Sequence, residues 1–197
     1  MTWSNWKFAA VAALCVLLLT GCGDRVRRVG VDTEDPFSST TTSSKDILTV
    51  AQVMARDIAQ IPQIANAKTP PTIAFAEVTN KTNQVIDKEI FIRKMRTLLM
   101  EHIGGKVVFL DREKSQEIIN ERKMKRQGDV GSSGQKILLG ADYFLTGVLS
   151  GVDTASGSKR ATFTSYAFRL TDAESSAIIW EKDYDVKKIG KAGMFDR

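Results

Sequence analysis

The sequence predicts one mixed α/β domain, a single sheet with helices packed on it, preceded by an export signal and a flexible tether. Three observations carry this. Apolar stretches with helical spacing alternate with short apolar strands through the first half of the domain, the order of a parallel sheet built through helical crossovers. Two later stretches alternate apolar and polar residues, as strands with one solvated face do. The 197 residues, 43% hydrophobic and 26% charged, suffice for one core and not for two large ones. The expected bounds are 1–21 for the signal, 22–45 for the tether, 46–187 for the domain and 188–197 for a C-terminal tail.

At the N-terminus, Lys7 precedes the apolar run Phe8–Leu19. Twelve helical residues span only ~18 Å against the ~30 Å of a bilayer core, so the run reads as a cleavable signal and not as a membrane span. Leu19-Thr20-Gly21-Cys22 resembles a bacterial lipobox, whose cysteine sulfur accepts diacylglycerol. Small residues let the chain lie extended in the peptidase, and a thiol yields a stable thioether. The competing reading is a plain secretory signal in which Cys22 is incidental. At ~0.8 kcal/mol per buried CH2, two or three acyl chains make an effectively permanent anchor. Cleavage removes one base (Lys7) and no acid, taking the net charge from +5 to +4. It also removes Cys15, Trp3 and Trp6, leaving Trp180 and, with Cys22 acylated, no thiol for a disulfide. In bacterial lipoproteins generally an aspartate directly after the cysteine retains the protein at the inner membrane; here Gly23 holds that place and Asp24 follows, which favours the outer membrane.

Residues 23–45 show no hydrophobic periodicity, opening with Arg25, Arg27 and Arg28 and ending in the unbroken Ser/Thr run Ser38–Ser44. Such a segment buries too little to offset its ordering entropy. As coil it reaches roughly 25 Å, or ~75 Å drawn out. Its arginines either meet anionic headgroups beside the anchor or simply solvate a linker.

Helical spacing begins near Asp46, with Ser44 as cap and Ile47, Val50, Ala51, Met54, Ile58 and Ile61 on one face; Pro62 ends it. After Pro70-Pro71 comes a strand, Thr72–Val78, then the polar turn Asn80–Asn83. Asp87 caps a second helix with a stripe of Ile90, Phe91, Met95, Leu98, Leu99 and Ile103, stopped by Gly104-Gly105. Lys106–Asp111 is a second strand. A third helix, Arg112–Gln127, carries six bases and three acids with few apolar anchors (Ile118, Ile119, Met124). The loop Gly128–Gly134 and a short helix, Gln135–Leu139, lead to a third strand, Asp142–Ser150. Strands Thr162–Leu170 and Ile178–Val186 complete the domain. The former places Thr164, Tyr166, Phe168 and Leu170 on one face; the latter turns Ile178, Trp180, Tyr184 and Val186 inward and Glu181, Asp183 and Asp185 outward. The first three strands, apolar on both faces, are expected mid-sheet, and the last form an antiparallel meander.

Chemistry is sparse. One histidine and two cysteines exclude a zinc cluster. His102, at the end of the second helix, fits a residue favourable to the helix dipole better than a base or ligand. Ser132-Ser133 lacks the glycine spacing and terminal lysine of a phosphate-cradling loop. Asp183 and Asp185 share a strand face as solvated acids more naturally than as a glycosidase pair. No catalytic residue, cofactor or metal is expected. The densest basic cluster is Arg122, Lys123, Lys125 and Arg126. It is either a solvated helix face or a surface for an anionic partner; nucleic acid is disfavoured by the modest charge, the lack of interleaved aromatics and the export signal.

The lipobox, the Ser/Thr tether, Val78-Thr-Asn-Lys-Thr82, Ile86-Asp87, Phe109-Leu-Asp-Arg112 and above all Gly140-Ala-Asp-Tyr-Phe-Leu-Thr-Gly147 resemble the LpoB family of penicillin-binding protein activators. Within that last block, Gly140 ends a helix, Asp142 bonds turn amides and Gly147 permits close approach in a central strand, so it builds the fold and does not contact a partner. The resemblance implies a TolB N-terminal-like domain in a non-catalytic outer-membrane lipoprotein on the periplasmic face. It implies docking on the regulatory domain of a bifunctional class A penicillin-binding protein, stimulation of peptidoglycan synthesis and a monomeric state. Better-known members have longer, proline-rich tethers. Related domains in curli and exopolysaccharide systems leave an alternative, a structural subunit of an oligomeric secretion assembly. The activator is preferred, because the sequence holds no long amphipathic hairpin able to enter a membrane.

Overall fold

A capping box opens the first helix in the computed structural model, which describes residues 28–34, 39–103, 105–131, 134 and 137–191, the side chains of 102 and 103 excepted. The Ser43 hydroxyl accepts from the Asp46 amide while the Asp46 carboxylate accepts from the Ser43 amide, so the cap sits one residue before the expected Ser44. Helix α1 (Ser44–Gln60) buries Val50, Ala51, Met54, Ala55 and Ile58, the face that the periodicity marks. Pro62 then starts a single turn, α2 (Pro62–Ala65). Helix α3 (Lys88–Ile103) follows Asp87, whose carboxylate accepts from the Glu89 amide at 2.9 Å, and buries Phe91, Met95 and Leu99 completely. Helices α1 and α3 pack on each other and cover one face of the sheet.

That sheet has the order β2-β1-β3-β4-β5, built from β1 (Thr72–Lys81), β2 (Val108–Leu110), β3 (Tyr143–Ser156), β4 (Lys159–Asp172) and β5 (Ile178–Lys191). Strand β1 runs parallel to both β2 and β3, and β3-β4-β5 form the antiparallel meander. One placement differs from expectation. Strand β2, expected mid-sheet, is a three-residue edge strand. The apolar run around β2 marks burial without marking position: Phe109 is sheltered by the Phe75 ring, 5.7 Å away, and needs no second strand beyond it.

The meander strands are 14 residues each, longer than the expected spans, and β5 continues past position 187 to Lys191. Apolar and polar residues mix on the solvated positions of the extensions, Val152 and Ile189 among Thr154, Lys187 and Lys191, which hides them from a hydrophobicity reading. Ile178 does not face inward. A register shift between Leu170 and Thr171 pairs Thr171 with Ile178 and Leu170 with Trp180, so Ile179 joins the core and Ile178 stays exposed.

Two further expectations shift. Helix α4 (Ser115–Gln127) starts three residues late, because Asp111 and Arg112 form a turn: the Asp111 carboxylate accepts from the Lys114 amide, and the Arg112 carbonyl accepts from the Ser115 hydroxyl. The short helix expected at 135–139 is absent at Ile137–Leu139, which are exposed and irregular; Gln135 and Lys136 lie outside the described residues. Five residues flanked by Gly134 and Gly140 cannot offset helix nucleation.

The motif around Gly140–Gly147 is built into the fold, although Gly140 ends no helix, residues 137–139 being irregular, and Asp142 bonds the start of β1 and not a turn. The Asp142 carboxylate accepts from the Thr72 amide at 2.7 Å, and the Asp142 amide donates to the Thr72 carbonyl at 2.9 Å, pinning β3 to β1 across seventy residues of chain. At Gly147 an added Cβ would lie 2.6 Å from Cε1 of Phe168. The β4–β5 turn is closed by Asp172, which accepts from the Ser175 amide and hydroxyl and the Glu174 amide; the Ser175 amide bond above all holds this carboxyl below its ordinary range.

Candidate interaction surface

Helix α4 carries the basic cluster, and it buries no side chain at all. A 13-residue helix is marginal in water by itself. Local contacts support it: Lys114 and Glu117 pair at 3.3 Å, Glu121 and Lys125 at 3.3 Å, and Gln116 donates to Asn120. Its C-terminus closes on Gly128 at φ +83°, whose amide donates to the Met124 carbonyl, and Lys125 and Arg126 complement the dipole of the last turn.

Helical geometry puts Arg122 and Arg126 one turn apart, with Lys125 beside them and Lys123 a further 100° round, roughly, from Arg122. Arg122 is half-buried, Lys123, Lys125 and Arg126 are exposed, and Lys125 is partly engaged by Glu121. Ile118, Ile119 and Met124 remain exposed on the same helix. The surface is therefore basic with an apolar flank, which a purely solvated helix has no need of. Cys22, Ser132, Ser133 and the His102 side chain lie outside the described residues. Asp183 and Asp185 are exposed on β5, opposite Ala167 and Ser165 of β4.

Sequence reading missed how the Ser/Thr run meets the domain. Thr42 donates its amide to Gln84 Oε1 at 2.7 Å, and its hydroxyl lies 2.8 Å from the Tyr166 hydroxyl. Lys188 donates to the Thr41 carbonyl at 2.8 Å and pairs with Asp46. Lys182 pairs with Asp57 in the same way, tying β5 to α1. Gln84 is held in place because the Asn80 side chain gathers the Thr82 amide and the Gln84 carbonyl into a tight turn. The capping box Ser43–Asp46, which the expectation of Ser44 as cap passes over, is a local signal for this seam. A groove of about 610 Å³ runs beside it, between Glu34 and Lys45 on one wall and Lys187 and Lys188 on the other. Around it Glu34 pairs with Lys45 and Asp46 with Lys188, and exposed Asp185 and Lys187 complete its charged lining.

Burial pushes the Tyr166 phenol up to about 12, against the opposing effect of its bond to Thr42. The unfolded phenol ionises near 10. Its contribution to stability is therefore intact below pH 10 and is lost progressively as pH rises toward 12. Tyr166→Phe should flatten the fall in urea midpoint between pH 10 and 12 while costing roughly 1 kcal/mol at pH 7 through the lost bond to Thr42. An unchanged alkaline slope would show that the phenol is not the group titrating there.

Among the described residues, no three His, Cys, Asp or Glu side chains gather to hold a metal, and no helix is long and apolar enough to cross a membrane.

No curated protein matches the chain significantly. Solved structures do. The LpoB C-terminal domain from Salmonella enterica aligns at 15% identity and TM-score 0.43, covering 72% of this chain and 98% of that one. The LpoB C-terminal domain from Escherichia coli aligns at 16% identity and TM-score 0.44 with the same coverage. Lipoprotein GNA1162 from Neisseria meningitidis aligns at 13% identity and TM-score 0.40, covering 61% and 84%. The sequence family described as peptidoglycan-synthase activator LpoB matches residues 46–186, from the first capped turn to the middle of β5. By that match over most of its length, the chain belongs to the LpoB family of peptidoglycan-synthase activators.

Proposed function

We propose that this chain is an outer-membrane lipoprotein, acylated at Cys22, that binds the regulatory domain of a bifunctional class A penicillin-binding protein as a monomer and activates it without doing chemistry itself. The observation that carries the reading is the family match across the whole sheet domain, residues 46–186. The α4 surface, which buries nothing and presents Arg122, Lys123, Lys125 and Arg126 beside exposed Ile119 and Met124, supplies the contact face.

Activation by binding requires that the adaptor favour the active synthase conformation over the resting one. A tenfold shift in that equilibrium needs about 1.4 kcal/mol of differential affinity, within reach of a few desolvated charge contacts. In a purified assay, the chain should raise both glycan polymerisation and peptide cross-linking by its cognate synthase. Arg122→Glu with Lys123→Glu should weaken that activation at least tenfold while leaving the melting temperature within a few degrees. Undiminished activation by this double variant would move the contact face elsewhere. No stimulation by the native chain would end the activator reading, and a ring on size-exclusion chromatography would point to an export assembly instead.

A further inference from the structure

The face of the sheet opposite α1 and α3 is not uniform along its length. Alternation places Val152 of β3, Phe163 of β4 and Ile189 of β5 on it, at 63%, 38% and 75% exposure. At the same end stand Lys81, paired in register with Ser150, the cross-strand pair Lys159 and Lys191, and Lys187 opposite Phe163. All four lysines are exposed. Among the described strand residues of this stretch, the single acid facing them is Asp185, because Asp153 turns to the other side, where it accepts from the Thr162 hydroxyl at 2.8 Å. Toward the far end the face changes character: Arg169 is consumed by Glu181, at 2.6 Å, and Asp183 and Glu174 follow. One end of the open face is thus apolar ringed by lysine, and the other is acidic.

The chain enters the domain at the basic end. Thr41 is bonded to Lys188, Thr42 to Tyr166, and Thr40 and Thr41 line a hollow with Arg160 and Thr162. Val31 and Glu34 are still held at the start of α1, by the Ser44 hydroxyl and by Lys45, and the sequence before them leads to the position proposed for the acyl anchor.

We propose that this tip docks on the anionic lipid surface to which the chain is anchored, holding the domain against the membrane until a partner draws it away. The inference goes beyond the activator reading and shares with it only the acylated anchor. Charge complementarity selects the occupant: lysines near an anionic bilayer each add attraction, and exposed Ile189, Val152 and Phe163 sit at the depth where apolar side chains enter the headgroup boundary. A second copy of the chain is a poor fit, because a two-fold arrangement of this patch would set lysine against lysine. Weak intrinsic affinity suffices, since a tether this short holds the tip at roughly millimolar effective concentration. Detachment by a partner is correspondingly cheap.

The test uses the acylated chain, which has no other thiol, reconstituted into phosphatidylethanolamine vesicles with or without one-third phosphatidylglycerol. A fluorophore is attached through Ser158→Cys, in the β3–β4 turn at the basic end, or through Glu174→Cys at the acidic end, and read by quenching from brominated lipid. Quenching at position 158 should exceed that at position 174 several-fold on anionic vesicles only. It should fall to the position-174 level when Lys159, Lys187 and Lys191 are changed to Glu, and rise partway again with Gln at the same sites; melting curves of both variants report folding. Equal quenching at the two positions, or quenching at 158 that ignores lipid charge or the lysine changes, overturns the proposal while leaving the activator reading intact. Self-quenching that grows with surface density and not with lipid charge overturns it in favour of self-association. A chain that carries no acyl mass and does not float with vesicles overturns the anchor and this proposal together.

Discussion

Phe91→Ala should lower the unfolding free energy by about 3–5 kcal/mol, the largest single effect expected in the domain. Phe91 is completely buried, and its ring lies 5.5 Å from that of Tyr166 at an interplanar angle of 38°. It is the point where α3 meets β4, so truncation removes apolar burial and an aromatic pair together. A domain of this size holds only about 5–15 kcal/mol in total. Urea denaturation followed by the emission of Trp180, which packs against the core from β5, reads the change. Met100→Ala on the same helix is the control: Met100 is 61% exposed, and its truncation should move stability by no more than about 0.5 kcal/mol. Equal losses at the two positions would mean that α3 is not seated on the sheet as described.

Gly147→Ala should destabilise by about 1–3 kcal/mol, although it adds only one methyl group to a residue type usually improved by that change. The new Cβ would stand 2.6 Å from Cε1 and 2.8 Å from Cδ1 of Phe168, a ring that is itself 1% exposed and flanked in register by Lys182 of β5. The ring cannot swing aside without moving the layer beneath α1 and α3. Gly140→Ala, in the same motif but with nothing within 4 Å of its added Cβ, should be close to neutral. If both substitutions leave the melting temperature unchanged, Phe168 has room to relocate and Gly147 is there for another reason.

The helical faces were readable from spacing. Val50, Met54 and Ile58 on α1 and Phe91, Met95 and Leu99 on α3 recur at three and four residues, a period that only one buried side produces. The inward face of β4 was equally plain, because Thr164, Tyr166, Phe168 and Leu170 alternate with exposed or half-buried residues. Strand order was not readable. The three-residue β2 lies at an edge and not mid-sheet as expected, since burial on both faces of a short run reflects what packs over it as much as which strands flank it.

The candidate surface divides the same way. Charge density alone singled out Arg122, Lys123, Lys125 and Arg126, but it could not separate a binding face from a solvated one. The partial exposure of Ile119 and Met124 beside them, at 47% and 39%, is a property of packing. Likewise Lys81, Lys159, Lys187 and Lys191 lie far apart in the chain, and only register brings them to one end of one face.

By itself, then, the amino-acid order determined the class of fold, the order of its main helices and strands, the structural character of the Gly140–Gly147 block and the family. Each of these is written in local periodicity or in short motifs, which need no distant neighbour to be expressed. Tertiary structure alone decided which strand lies at the edge, where the Ser/Thr run clasps Tyr166 and Gln84, and which lysines share a surface. Those outcomes depend on contacts between residues tens of positions apart, and their energies exist only once the sheet has closed its register.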